Sequence, residues 1–227
     1  MKKILIRIYQ YLISIQSSKI CKKNATLKGK HYKFMKNSRV FIEDGSRKSD
    51  IVLGNHVWLF GIIKSQNRGK VTIGNNTRIG EKTRVWCVNS VTIGDYCAIA
   101  NNVIITDNNT HPISPEFRLF KKLNLDRYGT NLWKYSDNMP VKIGNNVWIG
   151  DNARILKGIT IGDNSVIAAS AVVTKDVPAN SIAAGNPAKI VKTDIDKIPM
   201  SQLSYETFFK DKYNVSYEEY KKSLICE

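Results

Sequence analysis

The sequence predicts an all-β fold: a parallel solenoid of triangular cross-section, with a helical appendage at each end and one long protruding loop. Three features of the 227 residues carry that expectation. An aliphatic residue returns at every sixth position through most of the chain; the phrases LGNHVW, IGNNTR and IGDYCA begin twenty residues apart; and one interruption, residues 112–140, breaks the regular array. These features divide the chain into a basic leader (1–38), the repeat domain (39–192, with the insertion inside it) and a tail (193–227).

The rhythm runs through Ile73 and Ile79, then Ile93, Ile99 and Ile105, and resumes in strict register at Ile143, Ile149, Ile155, Ile161, Ile167 and Val173. Leu53 and Leu59 begin a weaker first pass. A short strand and a turn, used three times per coil, place one aliphatic per strand inside a prism, stacked on its equivalent in the next coil. β-Branched Ile and Val suit that ladder because they pack well on a pleated surface. Gly or Asn after the aliphatic accommodates backbone that a Cβ would penalise. Thr77, Cys97, Val103, Val147, Ala153 and Ser165, at the fifth place of the hexad, are small or β-branched enough for a tight interior corner. A helix does not explain the pattern: six is not a helical period, and each Gly inside a helix costs about 1 kcal/mol. A β-meander would alternate every second residue instead.

The flanks read differently. Ile4, Ile8, Tyr11, Leu12 and Ile15 fall at helical spacing, so the leader is expected to form an amphipathic helix. Such a helix caps the open end of a repeat array or lies on a membrane surface. Arg7 interrupts its apolar run and no small-residue cleavage site follows, which argues against a secretory signal. The run is also too short and too charged to span a bilayer. The expected location is therefore the cytoplasm, with the inner face of the membrane as a further option for the leader. The tail reads as one or two short helices. Cys21, Cys87, Cys97 and Cys226 form no C-x-x-C pair, so they are read as reduced thiols rather than a disulfide framework or a zinc site.

The formal charge of +16 is concentrated at the start, where eleven Lys and Arg residues from Lys2 to Arg39 precede the first acid, Glu43. That field raises the local concentration of anions. The lysines match no nucleic-acid-binding motif, which disfavours nucleic acid; acidic polymers, lipid headgroups and a purely solubilising lysine bias all stay open on charge alone.

Of the three histidines, His31 lies in the leader and His56 occupies a turn position shared with Asn76, Tyr96 and Asn146. His111 is different. It stands six residues after Ile105, where the next inward aliphatic belongs, and the insertion leaves directly after it. An insertion in a regular array tends to be functional because it projects from one face. Asp107, Asn108 and Asn109 are placed to hydrogen-bond the far ring nitrogen and set the tautomer. Arg118, Trp133 and Tyr135 of the insertion are candidate acceptor-binding residues.

The repeats, the stretch ITDNNTHP, the coil VKIGNNVWIGDNARILKGITIGDNSVIAASAVV and the ending TKDVPANSIAAGNPAKIVK resemble the hexapeptide-repeat acyltransferases, whose fold is a left-handed parallel β-helix. Within that family the similarity is nearest to bacterial polysaccharide and sugar O-acetyltransferases, with maltose, galactoside and xenobiotic acetyltransferases further off. It spans roughly residues 50–192 and is most specific over 141–192. The resemblance implies acetyl-CoA as co-substrate, no metal, and a homotrimer with each active site between two subunits. It implies that His111 is the catalytic base and that Trp148 lies at the active-site groove. By the same resemblance Gly150, Ala168, Ala169 and Ser170 line the pantetheine channel. Lys175, Gly185, Asn186, Pro187 and Lys189 then lie where the nucleotide phosphates bind. The asparagine that stabilises the oxyanion in the galactoside relatives has no clear counterpart in EKTRVWCVNS, so that donor is left unassigned.

This chemistry suits a neutral imidazole with an ordinary pKa near 6.5, which accepts a proton from a poorly nucleophilic sugar hydroxyl. The thioester is already activated and needs no enzyme nucleophile. The expected acceptor is a glycan hydroxyl on an acidic capsular or surface polysaccharide, or on a sialic acid-containing chain. A small acceptor, such as a free sugar or xenobiotic, is the alternative, although the Trp-rich tail of the xenobiotic enzymes is missing. A non-catalytic β-helix binding or assembly module is a third reading. A metal-dependent carbonic-anhydrase-like prism lacks its three closely spaced histidines.

Overall fold

The computed structural model describes residues 2–124 and 135–198, together with 210, 212, 214–216, 218 and 219, with side chains from residue 11 onward. Residues 1–195 and 196–227 form two compact units. The first is a left-handed parallel β-helix with three flat faces, and the described strands form two six-stranded sheets and one eight-stranded sheet. Each sheet takes one strand from each coil. The first face, for example, stacks Ile51–Leu53, Lys70–Ile73, Ser90–Ile93 and Val141–Ile143 in parallel register.

Every aliphatic of the sixfold rhythm points inward. Leu53, Leu59, Ile79, Ile105, Ile149, Ile155 and Ile167 are fully buried, and the others of the series expose no more than 2%. The fifth-place residues Thr77, Cys97, Val103, Val147, Ala153 and Ser165 are buried too, which makes Cys97 a packing residue. On the first face a second inward residue precedes the aliphatic by two, as in Val71, Val91 and Val141.

The turns divide their labour in a way that differs from the sequence expectation. Positive φ falls not on the repeat glycines but on the residue two places later: His56, Asn76, Tyr96, Asn146 and Asn164, with φ from +51° to +60°. The glycines are needed for close approach instead. A Cβ on Gly74 would lie 2.5 Å from the carbonyl carbon of Gly94 in the next coil. Between them stands an Asn or Asp whose side-chain oxygen accepts the backbone N–H of its equivalent one coil earlier. Asn75 does this for Asn55 at 2.8 Å, Asp95 for Asn75 at 2.6 Å, and Asp163 for Asn145 at 2.7 Å. The recurring hexad is thus an aliphatic that fills the core, a glycine that lets coils touch, a polar residue that ties them, and a left-handed corner.

The leader is helical only as far as helix α1, Lys2–Asn24. The first coil already begins with strand Thr26–Leu27, followed by Lys33–Phe34 and Arg39–Ile42, so the repeat domain starts well before residue 39. The C-terminal half of α1 packs on this coil: Cys21 and Ala25 are buried in the core cluster, and Asn24 Nδ2 donates to the Val40 carbonyl at 2.8 Å. Burial pushes the Cys21 thiol up to about 12. Tyr11 and Leu12, further back along the helix, are exposed. Among the described residues, no helix is long and apolar enough to cross a membrane. At the other end the chain folds back as an antiparallel hairpin, Ile182–Gly185 with Ala188–Lys192. Most of the tail lies outside the described residues; a 3-10 turn is present at Ile195–Lys197.

One buried ion cluster ties the early coils. The carboxylate of Asp50, fully buried, accepts from Arg68 Nε at 2.7 Å, from Lys70 Nζ and from the Arg47 backbone N–H at 2.7 Å. The Arg68 hydrogen bond is the largest cause holding this carboxyl well below the usual carboxylate range. A depressed folded-state value means stability that is present above the unfolded carboxyl pKa, roughly 4, and lost as the pH falls through the folded value. Asp50→Asn is therefore expected to lower Tm at pH 7 and to approach wild type as the pH drops below about 3. Thermal melts across that range test it; a constant difference at all pH values would contradict the assignment.

Candidate functional site

The insertion leaves the third face after strand Ile104–Thr106 and returns at Val141. Its two legs are clamped together. Asn109 N donates to Asp137 O at 3.0 Å, Met139 N donates to Asp107 O at 2.8 Å, and Asn108 and Asn138 form an antiparallel bridge. Beneath them lies the fully buried Asp107 carboxylate. It accepts from the backbone N–H groups of Val88 at 3.0 Å and Asn89 at 2.7 Å, from Asn108 Nδ2 at 3.0 Å, and from the Cys87 thiol at 3.2 Å. Burial first, then the charge of Asp107, pushes the Cys87 thiol far up, so Cys87 is an inert packing group.

His111 stands at the start of this insertion, but not as the sixfold count implies. Its side chain is exposed, and the inward place beyond Ile105 is taken by Ile143, paired with Ile93. The rhythm stops because the chain turns outward at Asp107. Nor do Asp107 and its neighbours orient the ring. Asp107 serves the preceding coil, Asn108 Oδ1 accepts from Thr110 N at 2.8 Å, and the Asn109 carbonyl accepts from the His111 backbone N–H at 2.7 Å. Among the described residues, Lys121 Nζ approaches the ring, 3.4 Å from Nδ1.

Lys121 belongs to a helix, α2 (Pro115–Leu123), inside the segment expected to be loop. Ser114 caps it by accepting from Phe117 N at 3.3 Å, and Pro115 occupies its first turn. That Ser-Pro-Glu start is a recognisable helix signal. Leu119, Phe120 and Leu123 are exposed, whereas Lys121 exposes only 8%. Burial pushes the Lys121 ammonium below its ordinary value. Arg118 is exposed and donates to the Ile113 carbonyl, and the Tyr135 ring meets Phe117 edge-on at 5.9 Å. Trp133 lies outside the described residues.

The other expected residues lie on and beside the second face. Trp148 heads strand Trp148–Ile149 with 57% of its surface exposed. It lines a hollow of about 330 Å³ with Ala100, Gly150, Ala168 and Ala169. Ser170 takes the next corner, at φ +60°. A second hollow, about 320 Å³, is lined by Lys175, Pro187 and Lys189 among others, and Gly185 and Asn186 form the adjoining hairpin turn. The two hollows share neighbouring strands, because Ile167 of the first pairs with Ala183 of the second. His111 lines neither. Below Trp148, the outward row of the same face runs in register through Ala98, Arg78 and Trp58 to Lys33. Lys33 Nζ sits 4.8 Å from the Trp58 ring centroid, and the Arg78 guanidinium 5.3 Å from that of Phe60. No group of three or more His, Cys, Asp or Glu placed to hold a metal occurs among the described residues.

Comparison with known proteins agrees with this architecture. Residues 140–175 match the family of the bacterial transferase hexapeptide (six repeats), and 70–107 match the hexapeptide repeat of succinyl-transferase. Galactoside O-acetyltransferase of Escherichia coli is 35% identical over 145 residues, which cover 64% of each chain. A solved galactoside acetyltransferase in complex with coenzyme A shares 26% identity at a TM-score of 0.52, covering 84% of this chain and 86% of that one. The N-acyltransferase AntD of Bacillus cereus, solved with dTDP and 3-hydroxybutyryl-CoA, shares the fold at 19% identity and a TM-score of 0.61, over 87% and 96% of the two chains. Residues 70–107 and 140–175 thus carry the repeats of the hexapeptide families, and the chain is homologous to galactoside O-acetyltransferase.

Proposed function

We propose that the protein moves an acetyl group from acetyl-CoA to a hydroxyl of a glycan, an acidic capsular or surface polysaccharide or a sialic acid-containing acceptor, with His111 as general base. One observation supports this most: Gly150, Ala168 and Ala169, assigned to the pantetheine end of coenzyme A, and Lys175, Pro187 and Lys189, assigned to the phosphate end, line two hollows on neighbouring strands, with Trp148 beside the first group. The homologous galactoside enzyme, solved with coenzyme A, has the same fold.

In the reaction His111 takes the proton of the acceptor hydroxyl as its oxygen attacks the thioester carbonyl. The tetrahedral adduct collapses with cleavage of the C–S bond, and the imidazolium returns the proton to the departing thiolate. A single subunit keeps His111 away from both hollows. A homotrimer with active sites between subunits resolves this, since the insertion of one subunit then faces the second face of its neighbour. The Lys33, Trp58 and Arg78 row gives an anionic sugar chain both cations and a stacking surface on its way to Trp148. With acetyl-CoA as co-substrate, the expected compartment of the reaction is the cytoplasm.

The direct test incubates the protein with acetyl-CoA and a panel of acidic oligosaccharides, neutral oligosaccharides and small sugars. Mass spectrometry is expected to show a gain of one acetyl group on the acidic members. If nothing is acetylated and His111→Ala behaves as wild type, the proposal fails. Ala169→Trp tests the coenzyme groove separately. Ala169 is exposed and lines the first hollow, so a large ring there fills the space without entering the contact between coils. The expected result is a fall in coenzyme A affinity of about tenfold or more by calorimetry.

A further inference from the structure

Helix α1 caps the first coil with one side only. Ser17 is buried and donates to the Lys36 carbonyl, Cys21 is buried in the core cluster, and Asn24 holds the Val40 carbonyl. At about 100° per residue these three positions share one side of the helix. By the same count Tyr11, Leu12 and the half-buried Ile15 lie on the opposite half, where Tyr11 leaves 66% and Leu12 57% of its surface exposed. In the sequence that apolar stripe continues back through Ile8 and Ile4. Lys19, Lys22 and Lys23 follow on the same outer half towards the end of the helix, all exposed. Among the described residues none of these lysines forms an ion pair, and the first acid of the chain is Glu43. Lys28, Lys30 and Lys36 of the first coil are exposed as well and extend the positive charge.

We propose that the outer side of α1 docks on an anionic lipid surface, lying in the interface with Tyr11 and Leu12 towards the acyl chains and the lysines among the headgroups. This goes beyond the acetyltransferase reading and does not depend on it. Interfacial helices bind through buried apolar area together with attraction to anionic lipid, and α1 offers both on one side. A soluble polyanion would satisfy the lysines but leave Tyr11 and Leu12 in water. A second copy of the helix would cover Tyr11 and Leu12 but bring two sets of uncompensated lysines into one interface. Docked on lipid, the prism stands on its first coil. On the third face the strand before the insertion, Ile104–Thr106, lies three strand spacings from Arg39–Ile42, at about 4.8 Å each, so His111 stays clear of the headgroups.

The test is sedimentation of the full chain with vesicles of phosphatidylcholine alone and of phosphatidylcholine mixed with phosphatidylglycerol. Wild type is expected to bind the mixed vesicles about tenfold or more tightly than the neutral ones, and less tightly as salt is raised. The double variant Tyr11→Ser, Leu12→Ser and the triple variant Lys19→Gln, Lys22→Gln, Lys23→Gln are each expected to lower binding to mixed vesicles about tenfold or more. Both are expected to keep the wild-type Tm, since the replaced side chains are exposed. Binding to neither kind of vesicle overturns the proposal. Release by the lysine variant alone overturns it too, because that is the behaviour of a site for a soluble polyanion. So does a fall in oligomer mass of the Tyr11, Leu12 variant in the absence of vesicles, which is the behaviour of a contact between copies.

Discussion

Replacement of His111 by alanine is expected to reduce acetyl transfer about 10²–10⁴-fold, the range a positioned general base contributes. Affinity for coenzyme A is expected to stay within about twofold of wild type, because the ring lines neither hollow on the second face. Stability is expected to be nearly unchanged, because the side chain is exposed and the backbone contacts of its turn do not involve the ring. A paired measurement of kcat and of coenzyme A binding separates these effects. Loss of binding equal to the loss of turnover would mean that His111 organises the coenzyme rather than the proton.

The second large effect is expected at Asp107. Its carboxylate satisfies two backbone N–H groups of the preceding coil and the Asn108 amide, while its carbonyl holds Met139 on the returning leg. Asp107→Ala strands the buried N–H of Val88, and stranded donors of this kind cost about 1–3 kcal/mol each. With the lost charge-assisted bonds, the total expected destabilisation is roughly 3–5 kcal/mol by chemical denaturation. Activity is expected to fall as well, because His111 and α2 are mounted on the two legs that Asp107 pins to the prism. Asp107→Asn keeps one acceptor oxygen and is expected to lie between alanine and wild type. A substitution that costs stability but leaves kcat untouched would show that the clamp does not position the base.

Much of this was legible in the sequence, for physical reasons specific to the repeat. Ile79, Ile99, Ile149 and Ile167 announce themselves because the spacing of inward side chains in a three-sided coil is set by geometry, and nothing else in a protein repeats at six. Gly150, Ala168 and Ala169, by contrast, were singled out by the family resemblance rather than by the rhythm; they line the first hollow. The first coil was hidden because Leu27, Phe34 and Val40 are spaced by seven and then six and lack the glycine phrase. The location of His111 at the foot of the insertion was readable, but its environment was not. Nothing in Lys121-Lys122 says which lysine turns inward; that is decided by the orientation of a helix whose mark in the sequence is its Ser-Pro-Glu start. The role of Asp107 was equally hidden, because a carboxylate beside a histidine looks like its partner until the backbone donors one coil away are seen.

A stack of parallel strands has two terminal rungs, each with a row of unsatisfied amides and carbonyls that invites another chain to continue the ladder. In this molecule the lower rung is covered by α1, which inserts Cys21 and is followed by the buried Ala25, and the upper one by a strand that runs the opposite way and carries Lys189 and Lys192. The two coverings are stoppers against fibre growth. A chain shortened past Ala25 would present a bare templating edge, and its characteristic failure would be end-to-end polymerisation rather than simple unfolding.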